Sequence, residues 1–230
     1  MLKMMRLEMR KYKLWGMLKG VIICNLAIIA FVTAMYFGDI EELNPFFNSY
    51  DSFFTMIETF VRVTFLIFAS VLMSRIVIEE YKNKTIQLMF MYPISRKRIL
   101  ESKLVIVFAF TAIVIFLSNT ALDVLVILID QIHNIVPETL TTEILIKSLV
   151  RIVFTCLSAG GMSLIPLYFG MRKYSVPTTI VSAVLISTLI SSNTNGFTLS
   201  NVIAIPIALC FIGILIAYMT IRNVDTKDVV

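Results

Sequence analysis

The feature that most limits what this chain can fold into is where its charges are missing. No charged residue occurs between Lys19 and Asp39, between Lys103 and Asp123, or between Arg151 and Arg172. Each run comes close to the roughly 20 residues a helix needs to cross about 30 Å of hydrocarbon. A fourth run, Tyr174 to Ile221, carries no formal charge and is too long for one helix. Its middle, Ser191-Ser192-Asn193-Thr194-Asn195-Gly196, consists of turn formers and divides it into two spans. A weaker candidate, residues 54–77, is interrupted by Glu58, Arg62 and Arg75, yet Val63 to Ser74 is apolar enough for lipid. At 58% hydrophobic and 15% charged, 230 residues would be hard to fold in water with the apolar surface hidden. The expectation is an all-α polytopic membrane protein, a single domain over residues 1–230. Its six transmembrane helices fall at about 18–37, 54–77, 104–125, 150–170, 175–191 and 202–221.

Orientation follows from the positive charges. Lys3, Arg6, Arg10, Lys11, Lys13 and Lys19 precede the first span, and Arg75, Lys82, Lys84, Arg96, Lys97, Arg98 and Lys103 cluster between the second and third. Arg172, Lys173, Arg222 and Lys227 fall on the same side, whereas Asp39, Glu41, Glu42 and Asp51 fill the first opposite loop. Positive residues mark the cytoplasmic side, so both termini and residues 78–103 are expected there, in a multi-pass plasma-membrane protein. Rich use of Lys, Ile and Asn points to a bacterial membrane. The net charge of +5 is thereby explained by topology and calls for no nucleic-acid partner. Within residues 1–14, Leu2, Met5, Met9 and Tyr12 recur at helical spacing among basic residues, which predicts an amphipathic helix lying on anionic headgroups. Cys24, Cys156 and Cys210 lie inside predicted spans without paired spacing, which suggests neither a disulfide framework nor a metal site.

Residues 78–103 form the longest polar stretch. Thr85 to Tyr92 reads as a short apolar helix stopped by Pro93, and Ser95 can cap a new helix leading into the third span. Ile86, Leu88, Met89 and Met91 have no core of their own there, so the short helix should dock onto something. The run Glu80 to Lys103, with its acidic residue, Thr-Ile, Leu, Tyr-Pro-Ile-Ser-Arg and closing Ser-Lys, resembles the first cytoplasmic loop of permease subunits of type-2 ATP-binding-cassette (ABC) exporters. Chain length, the six-span plan and the basic start are similar to that family as well. Lys84 stands where many relatives have glycine. The resemblance implies that this loop is a coupling helix seated on a cytoplasmic ABC ATPase, with Glu79, Glu80, Thr85, Ile86, Gln87, Leu88 and Pro93 in that role. It also implies a second permease copy or a related permease as partner, alongside membrane lipid. No G-x-x-x-x-G-K-[ST] stretch occurs, so ATP and Mg²⁺ would be held by the partner ATPase and this chain would carry no cofactor of its own and no catalytic residue. Permeases of this size in that family often export peptides such as bacteriocins or toxins, or confer immunity to them. The many apolar groups in the spans agree with an amphipathic or hydrophobic cargo.

Ionisable residues at membrane depth are costly and pair with one another. Glu58 and Arg62, four apart, share a helix face. Asp123 and Asp130 share a face of the third span, and Lys147 and Arg151 a face of the fourth. Matched by depth, Asp123 should meet Arg151 and Asp130 should meet Lys147, pinning a helix hairpin. Ser158-Ala159-Gly160-Gly161 should admit another helix at close range. Pro177 falls near a helix start, whereas Pro206 is placed to kink the sixth span. Two other readings remain open. Glu79-Glu80-Tyr81-Lys82-Asn83-Lys84 resembles the Glu-Glu-x-x-x-Arg motif of prenyl-tail-cleaving and bacteriocin-immunity intramembrane proteases, although such chemistry needs several histidines and His133 is the only one. A non-catalytic membrane adaptor would have the same topology.

Overall fold

The computed structural model describes residues 5, 7, 8, 11, 14–37, 49–83, 95–133, 136, 138, 140–191, 193–194, 197–198 and 204–222. Nearly all of them are helical. Helix α1 is Leu14–Phe37, and α2, Tyr50–Met73, begins where the Ser49 hydroxyl accepts the Ser52 N–H at 3.3 Å. Asp51 in its first turn complements the helix dipole, and the Glu138 carboxylate accepts the Tyr50 N–H at 3.1 Å. Without a break α2 passes through a π-helical turn, Ser74–Ile78, into α3, Glu79–Lys82. Helix α4, Arg96–His133, has 38 residues and at 1.5 Å per residue is about 57 Å long, so it outruns the hydrocarbon it crosses.

Helix α5, Thr142–Met162, stops at Ser163–Ile165, where the Leu164 and Ile165 amides bond three residues back, and α6, Pro166–Lys173, resumes with proline in its first turn. Tyr174 (φ 44°) adopts the left-handed conformation and turns the chain into α7, Val176–Ser191. Asn193–Thr194 (β1) and Phe197–Thr198 (β2) then pair antiparallel. Last comes α8, Ala204–Arg222. Pro166, Pro177 and Pro206 all sit within the first three residues of a helix, where amides have no intrahelical acceptor. Pro206 therefore opens α8, contrary to the expected kink within it.

Among the described residues five stretches, Gly16–Ala34, Tyr50–Lys82, Lys97–Gln131, Thr142–Lys173 and Ala204–Arg222, are long and apolar enough to cross a membrane, and α7 is a shorter apolar helix. Together they make an all-helical polytopic membrane fold. Helix α2 is central: it packs on α4 and α7, while α5 packs on α4 and α8. One apolar core joins Val61, Phe65, Ile115, Ala159 and Met162 in mid-bundle, and another joins Met73, Ile76, Ile78, Leu100, Val107 and Leu167 at one end. Leu26, Leu157, Leu185 and Phe211 are each more than half exposed, as side chains bathed in lipid tails can be. Helix association then rests on close packing. The small patch supplies it twice over: a methyl on Gly160 would stand 3.1 Å from the Phe108 ring of α4, whereas one on Gly161 would strike Cys210 of α8. The close neighbour of the patch is thus in the same chain.

Candidate functional site at the basic end of the bundle

One end of the bundle gathers the last turns of α2, α3, the start of α4 and the α6–α7 corner. Arg75, Lys82, Arg98, Arg172 and Lys173 are all exposed on it. Beneath that basic surface lies a closed ionic knot. Lys103, on the second turn of α4, has no solvent-exposed surface. Its ammonium donates to the Ile76 carbonyl of the π-helical turn at 2.9 Å and to Glu80 Oε2 at 2.5 Å, and it stands 3.6 Å from Glu8 Oε2 in the N-terminal helical residues. The other oxygen of Glu80 accepts from Lys11 Nζ at 2.6 Å. The buried Lys103 ammonium meets two buried carboxylates, and the half-exposed Lys11 adds a second cation to Glu80, so each buried charge has an opposite charge beside it. Next to the knot Tyr81 stacks on Tyr174 with ring centroids 5.9 Å apart, tying α3 to the α6–α7 corner.

Of the residues the sequence marked for coupling, Glu79 is exposed and Glu80 is buried in the knot. Thr85, Ile86, Gln87, Leu88 and Pro93 lie outside the described residues. Glu79 and Glu80 therefore do different jobs: one faces outward and the other anchors the root of the segment. A carboxylate held by two lysines is also a poor match for the metal-activating acid of the protease motif. By sequence Lys11 and Lys103 stand only as topology-setting cations, with Lys103 also closing the family-like run, and Glu8 does not stand out as a partner. Glu8 is the one acidic residue among the first 19 and Lys103 the last charge before an apolar run, and those oddities were the available signal.

A second ionic group lies at the far end, between α2 and α5. Glu58 and Arg62 do face each other, Arg62 Nη1 to Glu58 Oε1 at 3.7 Å. Arg151 reaches across to Glu58 Oε2 (3.3 Å), Asp51 Oδ1 (3.1 Å) and the Thr55 hydroxyl (2.6 Å), and Thr155 donates to Glu58 Oε1 at 2.6 Å. Helices α4 and α5 are neighbours, but the expected bridges between them give way to other partners. Asp123 accepts from the Ser148 hydroxyl at 3.0 Å while Arg151 is turned to α2. Asp130 takes hydrogen bonds from the Tyr50 hydroxyl and, at 2.8 Å, the Val136 amide, while Lys147 lies 3.4 Å from Asp51. The rotation of α5, which points Arg151 and Lys147 at α2, is not available from spacing.

Comparison with known proteins decides the family. The family model described as ABC-2 family transporter protein matches residues 4–189. The chain belongs to the ABC-2 transporter family. The match spans the N-terminal helical residues, α1 to α6 and nearly all of α7, and so takes in the basic end in full. This ABC-2 protein is similar to "Uncharacterized protein YcbO" of Bacillus subtilis (strain 168), at 41% identity over 227 residues, covering 99% of this chain and 100% of that one. No solved structure matches it. Membership makes it a multi-pass membrane subunit of an ABC transport system, not itself catalytic, and implies an ATPase in that system.

Proposed function

We propose that this ABC-2 subunit is the permease of an exporter that carries an amphipathic or hydrophobic cargo, of peptide class, across the plasma membrane. Two copies, or one copy and a related permease, enclose the path. ATP and Mg²⁺ are bound by a separate cytoplasmic ATPase, and residues 78–103 receive its motion. In this reading the basic end and both termini face the cytoplasm, in keeping with the positive-inside rule. The observation that carries the coupling is the ionic knot. Lys103, Glu80 and the Ile76 carbonyl fix the exact place where the chain leaves α2 for the α2–α4 segment, so a load on that segment has something rigid to act on.

The test is affinity purification of the intact protein from its native membrane in mild detergent, followed by mass spectrometry and an ATPase assay. A stoichiometric ABC ATPase with nucleotide turnover is the expected result. Side is checked by Asn83→Cys in otherwise cysteine-free protein, which an impermeant maleimide should label only in inside-out vesicles. Labelling from the cell exterior would end the export reading.

A further inference from the structure

The knot at the basic end joins three stretches that lie far apart along the chain: the N-terminal helical residues, the π-helical turn with α3, and α4. Glu8 is in the N-terminal helical residues, Ile76 in the π-helical turn, Glu80 in α3 and Lys103 in α4. Lys103 touches all of them, with no exposed surface, while Glu8 and Glu80 are 4% and 5% exposed. The π-helical turn is where the α2–α3 rod is least regular, because a wider turn breaks the four-residue hydrogen-bond repeat. An irregular turn can bend. Left to itself it would take up a push on α3 as local bending instead of passing it on.

We propose that Lys103 is a positioning residue that locks this bend, so that the N-terminal helical residues, α3 and α4 move as one body when the α2–α4 segment is displaced. The ammonium does this by holding the Ile76 carbonyl inside the irregular turn and the Glu80 carboxylate beyond it in α3, four residues further on. Its contact to Glu8 extends the same body to the N-terminal residues, and Lys11 closes the loop back to Glu80. A compact ammonium with donors in several directions can serve a carbonyl and two carboxylates at once; a planar guanidinium cannot be packed there without displacing the surroundings. This inference rests on the export reading, because transmission has meaning only if an ATPase loads the segment.

The test uses the permease with its co-purifying ATPase in nanodiscs of phosphatidylethanolamine and phosphatidylglycerol. Two variants are compared with wild type: Lys103→Met, which takes the buried cation from Glu8 and Glu80 and leaves Glu80 with Lys11, and the triple variant Glu8→Gln, Glu80→Gln, Lys103→Met, which removes the three buried charges and the clamp and leaves only the half-exposed Lys11. Amide hydrogen exchange of residues 74–83 should speed up about tenfold in the triple variant, a local opening at unchanged global unfolding temperature. The kcat of ATP hydrolysis by the complex should fall about fivefold or more with KM for ATP unchanged, since the nucleotide site lies on the other subunit. Wild-type exchange and kcat in the triple variant would overturn the proposal. So would a loss of kcat that tracks a matching fall in global stability, which is what a residue of merely structural importance would give. Should no ATPase accompany even the wild type, the export reading fails and transmission fails with it. Exchange that is slow in wild type and fast in the triple variant would then locate the failure in the export reading, with the clamp intact.

Discussion

Arg151 on α5 holds Glu58 on α2, Nε to Oε2 at 3.3 Å, and this one contact decides how the far end of the bundle is stapled. Glu58 is 7% exposed, and Thr155 of α5 serves its other oxygen. Removing Arg151 leaves that carboxylate with Thr155 and a 3.7 Å contact to Arg62, which is poor compensation.

Arg151→Met should therefore destabilise the protein by about 3 kcal/mol, the usual range for breaking one side of a buried pair. Glu58→Gln with Arg151→Met should cost clearly less than the sum of the two single changes. Thermal or denaturant unfolding in nanodiscs across the four proteins gives the coupling. The same cycle on Asp123 and Arg151 should give a coupling clearly smaller than that of Glu58 and Arg151, because Asp123 is bonded to Ser148 while Arg151 is bonded across to Glu58. A coupling of Asp123 with Arg151 as strong as that of Glu58 with Arg151 would mean that Arg151 turns to α4 instead of α2.

Helices α5 and α8 meet at two glycines. A methyl added to Gly213 would fall on the Gly161 carbonyl oxygen, a backbone atom that cannot rotate away. Gly213→Ala should cost about 1–3 kcal/mol through overpacking and push α8 off α5. Gly16→Ala, with nothing among the described residues within 4 Å of the added carbon, should be neutral or slightly stabilising. Comparing their unfolding midpoints under one set of conditions is sufficient; equal effects would rule out the close crossing.

The Lys147–Asp51 pair spans 3.4 Å with side chains 69% and 45% exposed. Solvent screens such a pair, so Lys147→Ala should change stability by under about 0.5 kcal/mol. An effect as large as that of Arg151→Met would mean that the two cations share one buried network.

Ser49 caps α2 by accepting the Ser52 N–H. Ser49→Ala should cost about 1 kcal/mol, and Ser49→Asp should keep the cap and add a favourable interaction with the helix dipole. Unfolding midpoints of the two variants should separate in that order.

What the sequence determined by itself was the solvent of this protein and the order of its helices along the chain. Runs without charge and the uneven placement of Lys and Arg are properties of the chain read in one dimension, and a bilayer acts on them in one dimension, by depth. The Glu58–Arg62 contact was legible for a similar reason, since a spacing of four fixes a shared face inside one helix. Partners between helices were decided only in three dimensions. Whether Arg151 turns to Asp123 or to Glu58 depends on how α5 is rotated against α2 and α4, and that rotation is set by the sum of many contacts, the glycine crossing with α8 and the Phe108–Gly160 contact among them. Lys103 is the clearest case: its charge suggested a topology marker on the cytoplasmic edge, and only the convergence of Glu8, Ile76 and Glu80 made burial of an ammonium affordable.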